Sequence, residues 1–136
     1  MDFQNCLWGS CGFDINYLLN TSLQLEVLKE NRAELIQAYY NSLRETLIQI
    51  HYPAGEIPSF EDVLAEIRRC EIMGLYTTVC EFPIVTMAKS MSKDFDFKVF
   101  CDPEKIKLVR VSMYDNPRVL DTLKYTIKYF DEINVL

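Results

Sequence analysis

Glycine and proline are scarce in this chain, 4 and 5 among 136 residues, which leaves few turns and favours long helices. His51 is the only histidine, so no imidazole cluster can assemble a metal centre. The five cysteines are scattered: Cys6 and Cys11 lie near each other, but Cys70, Cys80 and Cys101 form no second close pair, so zinc is a poor reading. Their odd number, with an acidic Met1-Asp2 start and no apolar leader behind it, points to reduced thiols and a cytoplasmic location. A basic surplus is lacking too. Fourteen Lys+Arg against 20 Asp+Glu give a formal net charge of −6, which argues against a nucleic-acid partner and against an anionic membrane surface. No run approaches the roughly 18 uncharged apolar residues that a membrane helix requires.

What remains is a globular composition, 49% hydrophobic and 25% charged, in a 15.9 kDa chain long enough for one domain. Its periodicity is helical nearly throughout. Asp14, standing before Ile15, Tyr17, Leu18 and Leu19, is placed to cap a short helix ending near Asn20. From about Gln24 to Ile50, Leu28, Leu35, Ile36, Tyr39, Leu43, Leu47 and Ile50 recur at helical steps and predict one amphipathic helix. Pro53, Gly55 and Pro58 then break the chain. Ser59 with Asp62 reads as a capping box opening a helix at Phe60, whose inner face is Phe60, Val63, Leu64, Ile67 and Cys70. Between Ile72 and Val85 the only charge is Glu81, which predicts burial on more than one side, with Pro83 kinking or ending a helix. Residues 92–115 show no sustained period and read as a loop with short helical pieces. Asn116-Pro117 opens the last helix, with Val119, Leu120, Leu123, Ile127, Phe130 and Ile133 as its inner stripe. The short apolar run Met1 to Trp8 reads as the end of a strand in an otherwise helical unit.

Two acids carry the candidate chemistry. Asp2-Phe3-Gln4 at a strand end is an arrangement by which kinase-like folds present a carboxylate to magnesium on ATP phosphates. Twelve residues on come Asp14, Ile15, Asn16, Tyr17, Leu18 and Leu19. This run resembles the segment that follows the catalytic loop in the ecdysteroid-kinase-like and choline-kinase-like (CHK) phosphotransferases. Later features agree in order: Tyr39-Tyr40 and Leu43 on a long helix, a Pro/Gly turn, a Ser-capped helix with Gly74-Leu75, Pro83, and a final Asn-Pro helix.

The resemblance implies a mainly α chain, the helical C-lobe portion of a protein-kinase-like (aminoglycoside/choline kinase-like) fold with a short N-terminal strand remnant. Residues 1–136 would be the C-terminal part of such a domain. Asp2 is similar to the family's magnesium-binding carboxylate, and Asp14 to the structural aspartate that braces the catalytic loop. Tyr17, Tyr39 and Tyr40 become substrate-cleft candidates, against the plainer reading of Trp8, Phe13 and the same tyrosines as core aromatics. Ile15 stands where the family usually has Leu. The family's phosphate-anchoring lysine and His-Gly-Asp loop precede its Asp-Phe-Gln, so this sequence is expected to hold no catalytic residue. ATP, magnesium and a small hydroxylated acceptor belong to the intact family. With one carboxylate and no lysine, the chain alone is expected to bind no cofactor, since magnesium is held by one or two carboxylates together with substrate phosphates. The competing expectation is a non-catalytic helical protein-interaction domain, self-associating through an exposed apolar face. His51, at a helix end, suits the dipole as an imidazolium.

Overall fold

The structure, a computed structural model, describes residues 8–92 and 95–136. The strand expected over Met1 to Trp8 falls on residues 1–7, outside the described part, apart from Trp8 itself. Among the described residues there is helix and no strand. Backbone contacts gather into two compact units, Met1–Gly74 and Leu75–Leu136.

The first unit holds α1 (Cys11–Thr21), α2 (Leu25–Gln49), a 3-10 turn (Ala54–Glu56) and α3 (Phe60–Arg69). The start of α1 departs from expectation. Ser10, not Asp14, is the N-cap, and its hydroxyl accepts from Gly12 N–H at 3.0 Å. Asp14 is exposed in the first turn, where a carboxylate suits the positive end of the helix dipole. Ser59 and Asp62 form the predicted reciprocal box: the Ser59 hydroxyl accepts from Asp62 N–H at 3.1 Å, and Asp62 accepts from Ser59 N–H at 2.8 Å. Val63, Ile67 and Cys70 are buried on α3, with Phe60 and Leu64 half-buried. The long stripe on α2 is only partly used. Leu28 and Ile36 are buried, Leu35, Tyr39, Leu43 and Leu47 are half-buried, and Ile50 is exposed. A 25-residue helix spans roughly 37 Å at 1.5 Å per residue, and α1 and α3 are only 11 and 10 residues long. Its far end therefore outruns its neighbours.

α4 (Glu71–Tyr76) opens with Glu71, whose carboxylate takes a two-pronged bond from Arg32 of α2 at 2.9 and 3.2 Å, with both side chains largely out of water. Such a pair fixes the approach of two helices more than it stabilises them, because both charges lose their hydration.

A π turn (Thr77–Glu81), α5 (Phe82–Val85), α6 (Lys89–Ser92), α7 (Phe97–Phe100), α8 (Pro103–Tyr114) and α9 (Pro117–Glu132) make up the second unit. The low-charge stretch is not buried on every side: Thr77, Thr78, Phe82 and Pro83 are inside, while Ile72, Tyr76 and Val85 face out. In the stretch read as a loop with short helical pieces, α7 is such a piece, but α8 is a full 12-residue helix. Asp102 caps α8 by accepting from Glu104 and Lys105 N–H, Pro103 occupies its first turn, and Ile106 and Met113 are buried. The charges of residues 104–110 hid that start signal, which repeats the Asn116-Pro117 pattern opening α9. On α9 the buried positions are Val119, Thr122, Thr126 and Phe130, and the predicted Leu120, Ile127 and Ile133 are exposed. Val119 and Phe130 of the predicted stripe thus share the inner face with two threonines, and Leu123 is half-buried.

Both long helices end in the same way. His51 and Asn134 adopt φ of 58°. His51 N–H bonds Ile48 C=O and Tyr52 N–H bonds Leu47 C=O; Asn134 N–H bonds Asp131 C=O and Val135 N–H bonds Phe130 C=O. These are Schellman closures, in which a left-handed residue lets two further amides reach the last open carbonyls. His51 thus closes the helix through its backbone conformation. A histidine in that conformation pays a steric cost that glycine avoids. His51→Gly is expected to raise stability by about 0.5–1 kcal/mol, read as a higher urea midpoint, and His51→Ala is expected to give no such gain.

Candidate functional site

Of the sequence-predicted residues, Asp14 lies on the first turn of α1, where that helix crosses α3. At Gly12 the two backbones touch: a β-carbon there would run into the Glu66 carbonyl oxygen and come 3.1 Å from the Cys70 β-carbon. Glycine is required at this point for lack of space. One turn along, Asn16 is fully buried and its amide nitrogen donates to two carbonyls, Gly12 of its own helix and Ile67 of α3, both at 2.9 Å. Asn20 continues the buried face and donates to Asn16 C=O at 2.7 Å. The Asn16 carbonyl oxygen is buried and has no hydrogen-bond partner, which sets a cost against the two bonds the nitrogen makes.

Around the start of α1 lies a polar cluster. Ser10 caps the helix and also hydrogen-bonds Glu66. Glu66 is gripped by Arg69 at 2.6 and 3.2 Å. That guanidinium first, and the Ser10 hydroxyl second, pull its carboxyl down to about 2. Cys11 hydrogen-bonds the Tyr39 hydroxyl of α2. Burial is the main reason the Tyr39 hydroxyl is pushed up to about 12, with Cys11 and then Asp14 adding to it. Burial likewise raises the Cys11 thiol, against the lowering effect of its bond to Tyr39. The chemistry follows from these directions. The carboxyl is held ionised, and the thiol and phenol are held protonated, across the neutral range. A general acid or base works best with a pKa near the working pH, and these three are moved away from it.

The tyrosine candidates separate. Tyr39 sits with Cys11 and within electrostatic reach of Asp14. Its neighbour Tyr40, about 100° further round α2, packs on Phe60 with ring centroids 5.3 Å apart. Tyr17 is 40% exposed on the outer side of α1. Asp2 lies outside the described residues. Among those described, no three His, Cys, Asp or Glu side chains come together as a metal-binding group. A shallow dish lined by Asn41, Arg44, Glu45, Ile48 and Gln49 belongs to one face of α2 alone. Two features of the site escaped the sequence reading. The Gly12 crossing had no signal beyond a glycine at a helix start, and the Ser10 cap could have been found from the serine two residues ahead of it.

The arrangement defines a class, a helix-crossing scaffold that presents the first turn of α1. The family follows from comparison with known proteins. The model of the ecdysteroid kinase-like family matches residues 1–52, and this part of the chain is similar to that family. The match holds the Asp2-Phe3-Gln4 segment, α1 and α2, and it ends at the Schellman turn that closes α2. No curated protein and no solved structure matches the chain. No helix of the described residues is long and apolar enough to cross a membrane.

The Gly12 contact predicts that Gly12→Ala forces α1 off α3, at a cost of about 2–3 kcal/mol, measured by urea denaturation. Acid has a definite sign as well. The carboxyls of Asp62 and Glu66 are lower folded than free, Asp62 through the Ser59 hydroxyl and amide. The stability they lend is complete above the ordinary carboxylate range and is lost as the pH falls from about 4.5 toward 2. Glu66→Gln is expected to flatten the urea midpoint against pH across that window.

Proposed function

We propose that this chain is the helical lower-lobe part of an ecdysteroid kinase-like phosphotransferase and by itself transfers no phosphate. The observation that carries the reading is the family match over residues 1–52, which spans Asp2-Phe3-Gln4 and the helix bearing Asp14. The intact enzyme would use ATP and magnesium to phosphorylate a small hydroxylated molecule in the cytoplasm. In that enzyme Asp2 would face magnesium, Asp14 would brace the catalytic loop, and Tyr17, Tyr39 and Tyr40 would be the candidates to line the acceptor cleft. The α1–α3 crossing supports a structural role for this segment, because it fixes the direction of α1 through backbone contact. The titration behaviour of Cys11, Tyr39 and Glu66 supports a positioning part rather than a proton-transferring one.

A second reading, a non-catalytic interaction domain, is favoured by one observation. Trp8, Phe13, Tyr17 and Leu18 are exposed at and along the outer side of α1, and an apolar face of this kind supports association.

The purified 136-residue chain, given magnesium-ATP and a panel of steroid and small alcohols, is expected to move no γ-phosphate and to show no nucleotide-dependent rise in Tm. Transfer to any acceptor would overturn the inactive reading. Light scattering separates the alternatives. A monomer at all concentrations counts against the interaction domain, and association abolished by Phe13→Lys with Leu18→Lys supports it.

A further inference from the structure

Helical hydrogen bonding changes register inside the second unit. Phe82 N–H bonds Thr77 C=O, five residues back, and Thr86 N–H has returned to the ordinary four-residue step at Phe82 C=O. Pro83 stands between them and has no N–H. In an α-helix the amide at 83 would serve the carbonyl of Val79, and a proline ring at 83 would press against that same carbonyl. Widening to a π turn relieves the pressure but leaves the missing hydrogen unreplaced. The hydroxyl of Tyr114, at the end of α8, donates to Val79 C=O at 2.7 Å.

We propose that the Tyr114 hydroxyl stands in for the hydrogen that Pro83 lacks, and that it latches the π turn and α5 as a locally openable segment. Thr77, Thr78 and Phe82 lie inside this segment, so its backbone is screened from water only while the latch is closed. Burial is the main cause that raises the Tyr114 hydroxyl, with Cys80 adding to it and Arg110 opposing, so the donor keeps its proton through neutral pH. Two further hydrogen bonds tie the end of this stretch. Thr86 donates back to Phe82 C=O at 2.7 Å, and Asn116 reaches Thr86 C=O at 3.4 Å. The Arg118 guanidinium lies 5.4 Å from the Phe82 ring centre, a contact that does not involve the freed carbonyl.

Native-state hydrogen exchange on the whole chain tests the latch. Tyr114→Phe is expected to speed exchange of the amides from Thr78 to Thr86 by about 5-fold, the effect of losing one net hydrogen bond, while amides of α1 and α3 keep their rates. Pro83→Ala supplies the decisive comparison, because it restores an amide hydrogen at position 83. In that background Tyr114→Phe is expected to change the same amides less than 2-fold. Equal effects of Tyr114→Phe with and without Pro83 would overturn the stand-in role, and unchanged exchange in Tyr114→Phe would overturn the latch itself.

Discussion

Two helices that touch backbone to backbone set the geometry of the first unit. At Gly12 there is no room for a β-carbon, and one turn later the buried Asn16 amide bridges carbonyls of both helices. Close approach of this kind has few tolerated variants. A side chain at Gly12 pushes the helices apart, and an apolar residue at Asn16 takes a hydrogen bond from two carbonyls at once. Everything placed on the first turn of α1, including Asp14, Cys11 and the Ser10 cap, takes its direction from this crossing. The Arg32–Glu71 pair adds a second constraint where α4 begins, again with specific geometry and little net energy.

This crossing lies partly within the residues that the family model matches. The family match covers the helix that makes the crossing and the helix that carries Tyr39 and Tyr40, and it stops at a helix terminus rather than inside one. The polar groups gathered there have pKa values driven far from neutrality by burial and by Arg69. At neutral pH this holds the Tyr39 hydroxyl protonated and the Glu66 carboxyl ionised. Charge is also divided along the chain: Met1–Gly74 has five Lys+Arg against eleven Asp+Glu, whereas Leu75–Leu136 has nine of each. The whole formal charge of −6 thus resides in the half that contains the family match.

Local signals were the legible part of the fold. The Ser59–Asp62 box and the Asn116-Pro117 start stand where the sequence put them, because a cap involves only residues a few positions apart. The extent of α2 was readable to within a residue at each end. Burial was legible in part. Val63, Ile67 and Cys70 are buried as predicted, and on α9 so are Val119 and Phe130, but Leu120, Ile127 and Ile133 are exposed while Thr122 and Thr126 are buried, since hydrophobicity alone does not say which side of a helix meets its neighbour. α8 was missed because its surface charges masked the Asp102-Pro103 start. Of the site, Asp14 and the tyrosines were singled out in advance, but the pairing of Tyr39 with Cys11, and of Tyr40 with Phe60, joins different helices and had no local trace.

Composition, periodicity and turn chemistry were sufficient to make this chain helical, to start and stop most of its helices, and to suggest its kinship through Asp2-Phe3-Gln4 and Asp14. Those properties depend on neighbours within a turn or two. Packing between helices settled the rest: that Gly12 is a point of contact, that Tyr39 faces a thiol while Tyr40 faces a ring, and that a tyrosine 31 positions downstream of Pro83 supplies its missing hydrogen. Contacts between residues far apart in sequence depend on the angle and distance at which helices meet, and no periodicity within a single helix encodes either.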